Sequence, residues 1–222
     1  MATHTGAMGT TSAALDRERL HFVLRRLHSL TGVVPIGAYM LVHIFFENAF
    51  ILGGAEKFDQ LVMAIGQIPT PILLAVEITV LWGPILFHGL YGFAVMAGAD
   101  LGTATHFAYR SGLLYALQRI TGVLAFIFIV WHVYSLRLSF YFQGVEIDYT
   151  LMHAILSEPA WFAFYVVGVL SALFHFWNGM FTFCITWGLT VSERSQALVR
   201  TVVLALFVVT GIGAVGILAA FR

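Results

Sequence analysis

An all-α bundle of five membrane-spanning helices is the fold this sequence predicts, and three observations carry it. The 222 residues are 60% hydrophobic and only 10% charged, with a mean hydropathy of +0.91, whereas soluble domains carry about 25% charged residues. Five apolar stretches are each long enough to cross a bilayer, which takes ~20 helical residues. Prolines and arginines gather at the ends of those stretches, where spanning helices tolerate or need them. Lys+Arg and Asp+Glu both stand at 11, so no basic surplus points to nucleic acid.

Residues 1–28 mix Thr, Ala and Gly with Asp16, Arg17, Glu18 and Arg19. They lack the apolar run of a cleaved signal peptide, so the expectation is a cytoplasmic N-terminal tail, partly disordered. Residues 29–222 are then one membrane domain, with spans at about 30–52, 71–97, 118–141, 159–189 and 198–221. Pro69, Pro71 and Pro159 stand at span starts, where a missing N–H costs least. Pro35 and Pro84 lie inside spans and predict kinks there. The linkers are too short to hold a soluble domain.

Arginine placement predicts the orientation. With the N-terminus inside, Arg17, Arg19, Arg25, Arg26, Arg110, Arg119, Arg194 and Arg200 are all inside, and Lys57, Arg137 and Arg222 are outside. The reading is a cytoplasmic N-terminus and an outside C-terminus; "inner" and "outer" below follow it. The expected location is the cell membrane.

Each of the first four spans carries one histidine deep in its apolar run: His43, His88, His132 and His175. Ionisable groups in hydrocarbon are expensive and usually functional. At about 1.5 Å per residue, His43 lies ~6 Å in from Glu47 and His132 ~8 Å in from Arg137, both at the outer side. By the same rise His88 lies ~26 Å in from Pro71 and His175 ~24 Å in from Pro159. The four thus form two pairs at two depths, the arrangement that bis-histidine haems need. No C-x-x-C-H occurs, so such haems would be held without a thioether link. Cys184, the only cysteine, excludes a four-cysteine cluster and an intramolecular disulfide. Two alternatives stand beside this reading: four separately satisfied core histidines, and a transporter or proton channel with relay histidines.

An internal repeat supports the pairing. Arg26, Thr31-Gly32 and His43 in span 1 match Arg119, Thr121-Gly122 and His132 in span 3. Leu86-Phe87-His88 with Gly92 matches Leu173-Phe174-His175 with Gly179. A parallel repeat sets His43 opposite His132 and His88 opposite His175. Gly92 and Gly179 are read as room for a flat macrocycle or as helix contacts. Propionate candidates are Arg137 for the outer haem and Arg26, His28, Ser29 and Arg119 for the inner one, with simple snorkelling the alternative for the arginines.

The segments Arg25-Arg26-Leu27-His28-Ser29-Leu30-Thr31-Gly32, Leu86-Phe87-His88-Gly89-Leu90-Tyr91-Gly92, Gln118-Arg119-Ile120-Thr121-Gly122 and Phe174-His175-Phe176-Trp177-Asn178-Gly179 resemble the cytochrome b subunit of succinate dehydrogenase. The resemblance is to the single-subunit, five-helix, two-haem type, the cytochrome b558 family, which also anchors some fumarate reductases. It covers about residues 22–196. It implies haem b held by His43 with His132 (distal) and by His88 with His175 (proximal), in agreement with the depth pairing. It also implies a flavoprotein subunit, an iron–sulfur subunit docked on the cytoplasmic face, and electron delivery to a quinone, menaquinone for this type. Some di-haem fumarate reductase relatives carry a glutamate two residues before the fourth-helix ligand; Leu173 stands there, which favours the succinate-oxidising direction. The anchor of another respiratory dehydrogenase, such as a hydrogenase, is the alternative.

A quinone slot leaves little sequence signature. Glu77, an acidic residue inside span 2, is the proton candidate on the outer side; His28, Ser29 and Trp187 are rivals at the inner mouth. His4, His21, His106 and His153 receive no role. Gly211, Gly213 and Gly216 in span 5 suggest close helix packing.

Overall fold

The computed structural model describes residues 5–98 and 109–222, and side chains from Leu15 and from Gly112 onward in those two segments. His4 and His106 lie outside the described residues. Every regular element described is helical. Five helices are long and apolar enough to cross a membrane: Leu15–Gly53, Thr70–Ala97, Gly112–Gln143, Pro159–Thr186 and Glu193–Ala220.

The first helix departs from the sequence reading. Residues 5–31 form one continuous α-helix, so the boundary at residue 28 falls inside an element, and the described part of the tail is helical rather than irregular. Ala, Leu and Arg between Ala13 and Leu30 are strong helix formers, and no Pro or Gly interrupts them.

Prolines mark the starts of the second and fourth spans as expected. Pro159 opens the fourth span, and Pro71 lies in the first turn of the second. The two internal prolines are absorbed by wide π-helical turns. Pro35 lies inside the π segment Gly32–Gly37, and Pro84 lies two residues beyond the segment Glu77–Trp82. Proline removes an N–H and crowds the carbonyl one turn back, and an extra residue in the turn relieves both. Two further π segments, His43–Glu47 and Val133–Leu138, contain or follow the outer histidines.

Span 4 is the hub. It packs most extensively against spans 3 and 5, and Leu173 on it is fully buried. Around it sit Phe128, Tyr165, Val169, Leu156 and Phe221. The outward-facing Leu, Ile and Val side chains of all five spans are exposed, as lipid-facing positions must be. Gly188, at φ 72°, ends span 4: Leu189 N–H reaches back to the Cys184 carbonyl at 2.8 Å, and only a residue free to adopt positive φ makes that reversal. Ser192 and Ser195 then cap the start of span 5 reciprocally.

The outer connections are structured rather than loose. Helices Ala55–Gly66 and Tyr149–Ser157 cover the outer end, tied by Asp59 Oδ1 accepting from Tyr149 N–H at 2.7 Å. His153 belongs to this lid, its Nδ1 2.7 Å from the Phe221 carbonyl at the end of span 5.

Candidate functional site

Spans 1 and 3 bring His43 and His132 together, with ring centres 5.9 Å apart and planes at 69°. Spans 2 and 4 bring His88 and His175 together, 6.1 Å apart at 89°. Imidazole–metal bonds are about 2.0–2.1 Å; with about 1.1 Å from each ring nitrogen to its centre, one metal between two rings separates the centres by about 6.3 Å. Both pairs match that span closely. Among the described residues no three His, Cys, Asp or Glu side chains gather as a metal cage. Each pair offers two imidazoles with no third ligating side chain among the described residues, a donor set that could suit iron already held in a macrocycle.

Hydrogen bonding decides which nitrogen faces the gap in the inner pair. His88 Nδ1 lies 2.9 Å from the His28 carbonyl, and His175 Nδ1 lies 2.9 Å from the Gln118 carbonyl. A carbonyl only accepts, so both Nδ1 atoms carry the proton and both Nε2 atoms keep a lone pair. This is the usual outer support of a metal-binding histidine. The Gln118 amide completes the cluster: it donates to the His175 carbonyl at 3.0 Å, and its oxygen accepts from buried Asn178 at 2.7 Å.

The outer pair is supported differently. His43 Nδ1 is 2.7 Å from Glu47 Oε2, within one turn of the same helix, and Asn48 Nδ2 stands 3.3 Å from Nε2. His132 is wedged between Phe128 and Tyr165, and its buried Nδ1 has no hydrogen-bond partner among the described residues. Among the described residues no chain of side-chain hydrogen bonds joins the two depths.

The remaining candidates separate into two groups. At the inner mouth, His28 stacks on His88 with ring centres 4.0 Å apart and planes at 12°. Arg26 lies over the rings of Phe22 and Trp187, at 5.1 and 5.0 Å, and Ser29 is half-buried beside them in the chain. Arg119 instead lies over Tyr115, on its own helix, and donates to its hydroxyl.

At the outer side, Glu77 and Arg137 meet. Arg137 contacts Glu77 Oε1 through Nε at 2.8 Å and an Nη at 2.6 Å, while the Tyr141 hydroxyl donates to Oε2 at 3.2 Å. Sequence reading treated these two as separate candidates, one for protons and one for a propionate; the fold makes them partners across spans 2 and 3. Their sixty-residue separation hid this, although they are the only opposite charges at that depth of the two helices. Of the two readings of the glycines after the inner histidines, the described residues show the contact between helices. A Cβ at Gly92 would stand 3.2 Å from His28 Cε1, and one at Gly179 3.3 Å from Gln118 Nε2, so both make room for a side chain of the neighbouring span.

Comparison with known proteins agrees with this architecture. The model of the succinate dehydrogenase/fumarate reductase transmembrane subunit family matches residues 105–214. The chain is 40% identical over 187 residues to the succinate dehydrogenase cytochrome b558 subunit of Bacillus subtilis (strain 168), covering 84% of this chain and 90% of that one. A relative this similar over so much of both chains shows the family: the chain belongs to the family of succinate dehydrogenase and fumarate reductase transmembrane subunits.

Proposed function

We propose that this chain is the membrane anchor and electron-transfer subunit of a succinate:quinone oxidoreductase in the cell membrane. It would pass electrons from an iron–sulfur subunit, itself fed by a flavoprotein subunit on the cytoplasmic face, through two b haems to menaquinone. The observation that carries this is the spacing of two histidine pairs at two depths, each matching one iron between two imidazoles. The likeness to a succinate dehydrogenase cytochrome b558 subunit supplies the partners and the substrate class. Leu173, fully buried at the position where some di-haem fumarate reductase relatives carry a glutamate, supports the succinate-oxidising direction.

Bound haem supplies a reversible one-electron centre at each pair. The chain's residues do the rest. His88 and His175 present Nε2 because their Nδ1 protons are committed to carbonyls, and Glu47 holds His43 in the same sense. The spans keep water and bulk solutes from both centres. Quinone reduction also takes up protons. Glu77, which accepts from Tyr141 and pairs with Arg137 on the outer side, is the carboxylate placed to take part in a proton route there. His28, Ser29 and Trp187 form the competing quinone surface at the inner mouth, with Arg26 as the cation for an inner propionate.

The test is a dithionite-reduced minus oxidised spectrum of the complex purified from its own membrane, with a haemochrome count per chain. Two b haems are expected. A folded, colourless protein would defeat the reading and return the four histidines to a transporter.

A further inference from the structure

Two glycines explain why the inner rings lie as they do. A Cβ on Gly32 would stand 2.5 Å from His88 Cε1 and 3.0 Å from its Nδ1; one on Gly122 would stand 2.8 and 3.0 Å from the same atoms of His175. Gly32 lies four residues after His28, and Gly122 four after Gln118, the two residues whose carbonyls receive the Nδ1 protons. A single helical turn thus provides both the acceptor and the gap into which the ring edge fits. The same arrangement occurs twice, in spans 1 and 3. The contact is also reciprocal. Gly92 and Gly179, each one turn beyond its histidine, receive the side chains of His28 and Gln118 in return.

We propose that Gly32 and Gly122, acting with the carbonyls of His28 and Gln118, are positioning residues for the inner electron-transfer centre. They fix which nitrogen of His88 and His175 is protonated and how each ring is turned, and so hold the two imidazole planes at right angles. The inference rests on the assignment of these histidines as haem ligands. Carbon atoms in contact settle at about 3.5–4.0 Å, so an alanine methyl must drive the ring about 1 Å outward. A ring so displaced loses its carbonyl or its line to the metal. Among the described residues no comparable seat faces the outer pair, whose supports are side chains.

The experiment uses the intact complex with Gly32→Ala, Gly122→Ala and, as control, Gly168→Ala. A Cβ at Gly168 would stand 2.2 Å from Phe128, a still closer intrusion between spans 3 and 4 that touches no inner ligand. Readouts are haem count, midpoint potential and the low-spin ferric EPR signal, whose anisotropy follows the angle between axial imidazole planes. The inner signal is identified by its absence in His88→Ala. Each seat variant is expected to shift the inner signal and potential, or to weaken inner haem retention by about 10–100-fold, with the outer haem kept; Gly168→Ala is expected to leave the inner signal in place. An inner signal unmoved with haem bound overturns the corresponding seat. An equal shift in Gly168→Ala, or joint loss of both haems from both seat variants, overturns the proposal, since the glycines would then serve the bundle and not the ligand. Absence of haem from the unmutated complex defeats the ligand assignment itself, a separate outcome.

Discussion

The inner and outer histidine pairs share a spacing and differ in what holds them. The inner rings donate to backbone carbonyls on neighbouring spans, at 2.9 Å in both cases. In the outer pair one ring leans on a carboxylate of its own helix and the other on two aromatic rings. A backbone acceptor moves only if the helix moves, whereas a glutamate changes rotamer at little cost. The inner centre is therefore built into the bundle, and the outer one is adjustable by single side chains.

Removing ligands breaks the comparison outright. His88→Ala or His175→Ala is expected to abolish the inner haem and leave the outer, and His43→Ala or His132→Ala the reverse; the haemochrome count per chain halves in each case. If any single change removes both haems from a folded complex, the pairing is wrong.

A smaller effect is expected at the outer ion pair. Glu77→Gln leaves the Arg137 cation partly buried, and breaking a buried pair costs about 3 kcal/mol, toward the low end because Arg137 is about a quarter exposed. Thermal unfolding of Glu77→Gln, Arg137→Gln and the double variant measures it: the double should lose clearly less than the sum of the singles. Additive losses would remove the pair from the energetics.

Side-chain support sharpens the contrast further. Glu47→Ala is expected to release outer haem to excess apomyoglobin about tenfold faster, without touching the inner haem. Gln118→Ala keeps the carbonyl that serves His175, so it should cost about 1 kcal/mol of stability for its amide bonds while the inner haem stays. Equal haem loss in the two variants would erase the distinction between backbone and side-chain support. Smallest of all, Ser192→Ala removes the cap of span 5 and should cost about 1 kcal/mol with both haem spectra unchanged.

The five spans and the one histidine in each of the first four were legible because each depends on local pattern: apolar runs, prolines at the first turns of spans 2 and 4, and a depth countable from the nearest polar residue. The repeat of Thr31-Gly32 as Thr121-Gly122 was legible too, but its purpose was not. That Gly32 faces His88 is set by how spans 1 and 2 rotate against each other, which the spacing within either helix does not contain. The partnership of Glu77 with Arg137 was hidden for the same reason. The outer helices Ala55–Gly66 and Tyr149–Ser157 passed as linkers because they are short and mixed in character, stabilised by contacts such as Asp59 to Tyr149 across ninety residues. The helical start of the first span was masked by small polar residues that read as a tail.

The Glu77–Arg137 pair also has a dimension in time. Sixty residues separate the two along the chain. At synthesis rates of about 5–20 residues per second, span 2 exists for roughly 3–12 s before its counterion has been made. A lone carboxylate costs about 2.5–3.5 kcal/mol to insert at a helix centre and less toward the end, where Glu77 stands seven residues after Thr70. The arrival of span 3 cancels that cost, so the two helices are coupled during biogenesis as well as in the finished bundle.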